Sequence, residues 1–553
     1  MEKQSTSKSF VILGIANIIV RMLAIVYLPF QAYILGYYGN GVAALGYNIW
    51  TFLFSLSNAG LPNAISKMVA EQTATGNFRA AEKILKCAYF VLLIFGIIVA
   101  LFMALGSKFI ATTILGVNDA YLMLLTISPT LIFTSISCAL RGYYQGRQNM
   151  APVAVSNVIE QFLNSIFTVV FAWLLIKYGL KYGVAGTAIG TFVGAIGAAG
   201  FLCFLFFHLM GKQRKREVDN TSPDLPQIPS RQIYGELLKY SLPAILNTIA
   251  VCASPLIDSA NCISRLQAAH FSYNAATSLF GIYSYQFQRL FMLALSFSTA
   301  LVTSIIPSIS EALALENYRL VKYRISESYR AIYLVTIPSI LGITFLAQPL
   351  ITLVFYKQNN GADLVIMGTW TAIFMAIMYV QSGVLIARGK PITPSVNLII
   401  GMAIKILLNY ILIAIPSINI MGAVIGTGVG YLIAVVLNQI AIWRSFKFNI
   451  PIIRMMIRPT FASVIMGAIC LVFYQGVFKG VQYFAHANSQ HTAYYVINDI
   501  TVLIAVLLGA GVYYAAMILI GGISKDDILR LPMGTKIFRI TIKNRFFRMI
   551  LNN

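Results

Sequence analysis

Runs of about 20 apolar residues recur along this chain from Phe10 to near Leu519, each closed by a short polar or basic turn. Inside a run the apolar residues are continuous rather than alternating, so the runs read as membrane-spanning helices and not as barrel strands. The windows are residues 10–36, 43–70, 85–107, 119–143, 152–177, 183–210, 234–257, 276–307, 330–355, 364–387, 394–415, 421–443, 455–478 and 498–520. The second and eighth can begin in interfacial helices. The pattern predicts an all-α integral membrane protein of about 14 transmembrane helices.

The pattern is also duplicated. Gly76-Asn77-Phe78-Arg79 after Glu71 returns 240 residues later as Glu316-Asn317-Tyr318-Arg319 after Glu311. A glycine ladder, Gly186, Gly190 and Gly194, returns 236 residues later as Gly422, Gly426 and Gly430. Pro152 after one basic turn is echoed by Pro394 after another. Glycines at spacing four lie on one helix face and let backbones approach, so the ladders are expected to build each lobe rather than touch a ligand. Two homologous halves in an apolar chain are the signature of an alternating-access carrier.

The predicted organisation is an N-terminal six-helix lobe (1–211), a basic and Pro-rich linker (212–231) and a C-terminal six-helix lobe (232–446). Helices 13 and 14 (447–521) and a basic tail (522–553) follow. The last two helices have no partner in the duplication. The linker carries Lys212-Gln213-Arg214-Lys215-Arg216, suited to topology and anionic headgroups. Met533–Leu551 reads either as a surface amphipathic helix or as a solvated basic tail.

Composition sharpens the class. The chain is 58% hydrophobic and 10% charged, with mean hydropathy +0.78, far from the quarter-charged balance of soluble domains. The formal charge of +23 is a matter of topology rather than of nucleic acid. If the N-terminus is inside, 31 of the 40 Lys and Arg fall in cytoplasmic turns and tails and 6 in outer turns. An even number of spans with both termini cytoplasmic is expected, in a bacterial plasma membrane. The first apolar run is too long for a cleavable signal. Cys87, Cys138, Cys203 and Cys470 read as small buried residues, and a Cys252–Cys262 disulfide is disfavoured. His486 and His491, spaced by five in a polar loop, read as exposed, and no metal site is expected.

Three cations fall inside apolar runs. Arg21 lies about 16 Å into the first helix, where a charge costs roughly 2.5–3.5 kcal/mol and marks a water-filled site. Arg289 ends the turn Tyr283-Ser284-Tyr285-Gln286-Phe287-Gln288-Arg289, which is too polar for lipid and is expected to face a cavity. Two guanidiniums suit a diphosphate, since each offers a planar fork to phosphate oxygens. Tyr285 and Gln288 join them as candidate substrate contacts. Lys405, with Asn409 one turn on, either contacts substrate or stands where a coupling cation would. Asp258 either pairs with Lys405, binds a cation, or is an interfacial carboxylate. Glu160 is expected to pair with a cytoplasmic arginine such as Arg147. No phosphate-binding loop for ATP and no coherent catalytic constellation is present, so an enzyme is the weaker class. No cofactor is expected; the drive is membrane potential or a coupling cation.

Arg141-Gly142-Tyr143-Tyr144-Gln145-Gly146-Arg147-Gln148-Asn149-Met150-x-Pro152, followed by Ile159-Glu160-Gln161, resembles the inner turn of the SpoVB/YtgP group of polysaccharide and lipid-linked oligosaccharide flippases. Asn58-Ala59-Gly60-Leu61-Pro62 with Ile65-Ser66-Lys67, and Pro255-Leu256-Ile257-Asp258-Ser259, fit the same group. It belongs to the multidrug/oligosaccharidyl-lipid/polysaccharide exporter superfamily and is similar to the MurJ lipid II flippases. The resemblance spans nearly the whole chain. It implies a V-shaped cavity between two lobes and a groove for a polyprenyl tail lined by helices 13 and 14. It also implies cavity arginines at Arg21 and near Arg289. The family's second span-one arginine is replaced near Tyr27, and no arginine lies between Trp50 and Ser66.

The expected function is movement of an undecaprenyl-diphosphate-linked cell-wall precursor, lipid II-like, from inner to outer leaflet. The alternatives are another lipid-linked polysaccharide, a cation-coupled multidrug exporter, or a non-transporting scaffold of a wall-synthesis complex. Expected partners are the lipid-linked sugar, membrane lipids and cell-wall synthesis proteins, with no nucleic acid.

Overall fold

In the computed structural model of the chain, the described residues are 6–58, 60–222, 225–226, 228–448, 450–485 and 492–523. The tail 522–553, beyond Ile523, and the loop holding His486 and His491 lie outside them. Every regular element among the described residues is helical.

Contacts divide the chain into two compact units, Met1–Tyr285 with Ile406–Ala423, and Gln286–Lys405 with Val424–Asn553. The first holds α1 (Thr6–Val26), α2 (Leu28–Asn58), α3 (Leu61–Ala74), α4 (Phe78–Phe109), α5 (Tyr121–Ile127), α6 (Thr130–Gly146), α7 (Ala151–Leu175) and α8 (Leu180–Phe204). It continues with α9 (Gly211–Asp219), α10 (Ser230–Ala268) and α11 (Tyr273–Gly281). A widened π-helical turn (Ile282–Phe287) straddles the boundary, and the second unit holds α12 (Gln288–Ala314), α13 (Tyr318–Phe345), α14 (Ala347–Phe355), α15 (Ala362–Gly368) and α16 (Ala372–Ala387). The chain then runs through α17 (Ile392–Leu412), whose last turns belong to the first unit, to α18 (Met421–Phe446), α19 (Ile452–Ala485) and α20 (Thr492–Leu519).

The chain is a multi-pass membrane protein. Among the described residues ten helices are long and apolar enough to span a bilayer, or eleven if one bent pair counts as a single span. The predicted windows fall on helices, but not one window to one helix. The first breaks at Tyr27, where the chain bends by 45° before continuing through Leu28–Ala74. Gly36, at φ 66°, breaks the regular helix again. A left-handed residue cannot continue a right-handed helix, so a continuous apolar run becomes two pieces.

The duplicated segment is a duplicated turn. Asn77 accepts a bond from Ala80 N at 3.0 Å and starts α4; Asn317 accepts from Leu320 N at 3.0 Å and starts α13. The preceding residue is left-handed in both, Gly76 at φ 77° and Glu316 at φ 52°. An asparagine side chain satisfies one of the first orphan N–H groups of a helix, which is why it survives at both positions. The helix before each turn closes the same way, with Asn77 N donating to Gln72 O and Asn317 N to Ala312 O.

The glycine ladders hold helices together within each unit. A Cβ on Gly186, Gly190 or Gly194 would stand 2.5 Å from Phe171 O, 2.3 Å from Thr168 N or 2.6 Å from Glu160 O, so α8 rests on the backbone of α7. In the second unit a Cβ on Gly401 would meet Gly430 O at 2.2 Å, bringing α17 against α18. Gly430 also leaves room for Lys405, whose Cβ lies 3.3 Å from where a Gly430 Cβ would be.

Candidate functional site

Asp258 sits near the far end of α10 with no solvent exposure. Its Oδ2 accepts from the Tyr283 hydroxyl at 2.8 Å, and its Oδ1 accepts from Asn409 Nδ2 at 2.8 Å. The interfacial-carboxylate reading of Asp258 is therefore overturned. Beside it, Ser259 donates to Pro255 O and accepts from Asn48 of α2 at 2.9 Å. A buried carboxylate must be hydrogen-bonded or neutralised, and two donors converging on it supply the first of these. Of these neighbours the sequence reading singled out Asn409 and missed Tyr283 as a partner, although the residue stood in the polar turn. Arg265, two turns further along α10, stacks over the ring of Tyr410, its guanidinium carbon 4.1 Å from the centroid.

The polar turn itself is packed over most of its length. Tyr283, Ser284, Tyr285, Gln286 and Phe287 are buried. Tyr285 donates to Leu28 O at 3.2 Å, and Gln286 Nε2 to Gln358 O at 2.6 Å. The expectation that the whole turn lines a cavity is corrected: only Gln288, half-buried, and Arg289, exposed, come to the surface. The buried stretch coincides with the π-helical turn Ile282–Phe287. Arg21 is exposed on α1, flanked by exposed Ile18, Ile19 and Met22, while Ala16 on another face is buried. Lys405 is fully buried on α17, one turn before Asn409.

Two further expectations resolve. Glu160 pairs with Arg141 at 2.6 Å and not with Arg147, whose guanidinium bonds Glu217 of α9 at 2.6 Å. Cys252 donates to Ser55 Oγ at 3.2 Å, and Cys252 and Cys262 are both free thiols. Among the described residues no three His, Cys, Asp or Glu converge as a metal site would require.

The second unit contains an apolar groove of about 630 Å³ framed by α12, α13, α19 and α20. Leu334, Pro338, Gly342 and Leu346 supply one wall, Met466 and Cys470 another, and Val506, Gly509 and Tyr513 a third. Among the described residues no charged side chain lines it. Tyr513 turns its hydroxyl to Leu334 O at 3.0 Å, so even that polar tip is satisfied. A Cβ on Gly509 would meet Cys470 Sγ at 2.8 Å; the glycine seats α20 against α19.

Comparison with known proteins agrees with this architecture. The model of a family described as polysaccharide biosynthesis protein matches residues 6–313. The lipid II flippase MurJ of Bacillus subtilis (strain 168) is 27% identical over 541 residues, covering 94% of this chain and 96% of that protein. Stage V sporulation protein B of the same organism is 25% identical, covering 96% and 99%. A solved structure of lipid II flippase MurJ in an inward closed conformation superposes with TM-score 0.62 at 15% identity, covering 92% of this chain and all of that one, which establishes the shared fold.

Proposed function

The chain belongs to the polysaccharide biosynthesis protein family, and we propose that it is a flippase carrying an undecaprenyl-diphosphate-linked cell-wall precursor from inner to outer leaflet by alternating access. The observation that carries this reading is the apolar groove. An isoprenoid tail stays in hydrocarbon while its headgroup crosses, and needs a continuous apolar track beside the transport path. The groove is walled partly by α19 and α20, the two helices outside the duplication, and its described lining is apolar along that track. Near full-length similarity to a lipid II flippase supports the same class.

In this reading Arg21 of the first unit and Arg289 with Gln288 of the second are each contacts for the diphosphate-linked headgroup, and Tyr285 and Lys405 are further candidate substrate contacts. Asp258 with Asn409 is the ion-coupling pair. An inside-negative potential favours outward movement of an anionic headgroup by about 2.3 kcal/mol per charge per 100 mV. The protein resides in the bacterial cytoplasmic membrane with both termini cytoplasmic, and it transports rather than catalyses. The departure from the family at Tyr27 and between Trp50 and Ser66 favours a broader lipid-linked polysaccharide range as the second reading. Growth of a cell depleted of its own lipid II flippase, with this chain as sole replacement, tests the proposal. Rescue supports it, and failure with normal membrane levels removes lipid II as the substrate.

A further inference from the structure

Two arginines end the walls of the groove. On α13 the residues Leu334, Pro338, Gly342 and Leu346 line it at spacing four, and Arg330 is the next position of that row. On α19 the row Cys470, Met466 and Ala462 is continued by Arg458. Residues four apart share a helix face, so both guanidiniums arrive at the same end of the same groove. They converge there on adjacent carbonyls. Arg458 Nη1 donates to Gly521 O at 2.6 Å, and Arg330 Nη2 to Gly522 O at 3.0 Å. The next residue, Ile523, lines the groove.

These carbonyls are not the orphan ends of α20. That helix closes its own terminus: Gly521, left-handed at φ 64°, donates from N to Ile518 O at 3.0 Å, and Gly522 N donates to Met517 O at 2.8 Å. Those bonds satisfy the carbonyls of Ile518 and Met517, and the Gly521 and Gly522 oxygens are bonded by the two arginines instead. Arg458 is exposed and Arg330 partly so, and each carries a planar fork of five N–H donors beside a channel whose described lining is apolar. The floor at this end is Ala462, Ala516 and Met517, packed against Leu334 and Ile520.

We propose that Arg330 and Arg458 form a phosphate-binding station at the end of the groove, reading the diphosphate of an isoprenoid lipid whose chain lies against α13, α19 and α20. This rests on the flippase reading and adds to it a second phosphate contact, apart from Arg21 and Arg289. The ligand class is an isoprenyl diphosphate: a chain for the groove and a vicinal pair of phosphates for two guanidiniums.

The test is equilibrium binding of radiolabelled geranylgeranyl diphosphate to the full-length protein in nanodiscs of neutral lipid. Arg330→Gln and Arg458→Gln are each expected to weaken binding about tenfold and together about 100-fold, the effect of losing charge-assisted bonds. Geranylgeraniol, which lacks phosphates, should bind the double variant as it binds the original. Arg458→Lys, which keeps the charge but not the fork, gives an intermediate loss should the glutamine variants fold poorly. Lys479→Gln, an exposed charge elsewhere on α19, should change nothing. Unaltered diphosphate binding in the double variant overturns the station. So does displacement by phosphatidylglycerol, or by inorganic diphosphate alone, at the concentrations at which the unlabelled ligand competes. Loss confined to Arg21→Gln and Arg289→Gln would overturn it too, while leaving the flippase reading intact.

Discussion

Asp258 and Asn409 stand 151 positions apart and meet at 2.8 Å, the amide of one donating to the fully buried carboxylate of the other. Tyr283 holds the second oxygen. Removing the carboxylate takes an acceptor from both donors, at up to about 1–3 kcal/mol for a buried group left unsatisfied. Asp258→Ala is therefore expected to lower the thermal midpoint of the purified protein well below that of Asp258→Asn. If the charge itself couples transport, Asp258→Asn keeps the fold and loses flipping. Normal flipping by Asp258→Asn would show the group to be structural.

The paired turns at Asn77 and Asn317 predict an asymmetric response to glycine. Glu316 bears a side chain at φ 52°, where Gly76 has none. A left-handed L-residue costs roughly 1–2 kcal/mol. Glu316→Gly should stabilise the protein by about 1 kcal/mol in denaturant titration, and Gly76→Ala should destabilise it by a similar amount. Equal effects of the same sign would contradict the shared turn.

These turns were legible in the sequence because capping is local: an asparagine three residues before a free N–H needs no tertiary partner. The glycine ladders were legible for a similar reason, since spacing four defines a face. Long-range pairs were not. Glu160 was expected to find a cytoplasmic arginine such as Arg147; it finds Arg141, because α6 and α7 form a hairpin turning near Met150. Positions equally far from the turn face one another, so Glu160, ten residues after it, meets Arg141, nine before. Arg147 is too close to the turn to reach that far and bonds Glu217 instead. The buried tyrosines of 283–287 were misjudged because composition reports polarity and not which partners satisfy it: Tyr283 bonds Asp258 and Tyr285 bonds Leu28 O.

Gly190 supplies a packing test. A Cβ there would stand 2.3 Å from the backbone N of Thr168, which cannot yield without separating α7 from α8. Gly190→Ala should cost about 1–3 kcal/mol. Gly200, in the same helix, meets nothing within 4 Å, so Gly200→Ala should be neutral or slightly stabilising. Unfolding midpoints of the two variants, measured side by side, check this.

Filling the groove should stop transport without unfolding the protein. Ala510 lines it, and Ala510→Trp places an indole where the isoprenoid chain is proposed to lie. Flipping is expected to fall at least tenfold while membrane levels and thermal midpoint stay near normal. Undiminished flipping would remove the groove from the pathway.

The most direct measurement is the amount of lipid II accessible at the outer surface of cells whose only flippase is this protein. The account predicts accessibility restored by the original chain, and abolished in Arg21→Ala and Arg289→Ala at equal protein levels. Lipid II confined to the inner leaflet despite normal amounts of the original chain, or full accessibility with both arginines replaced, would contradict it.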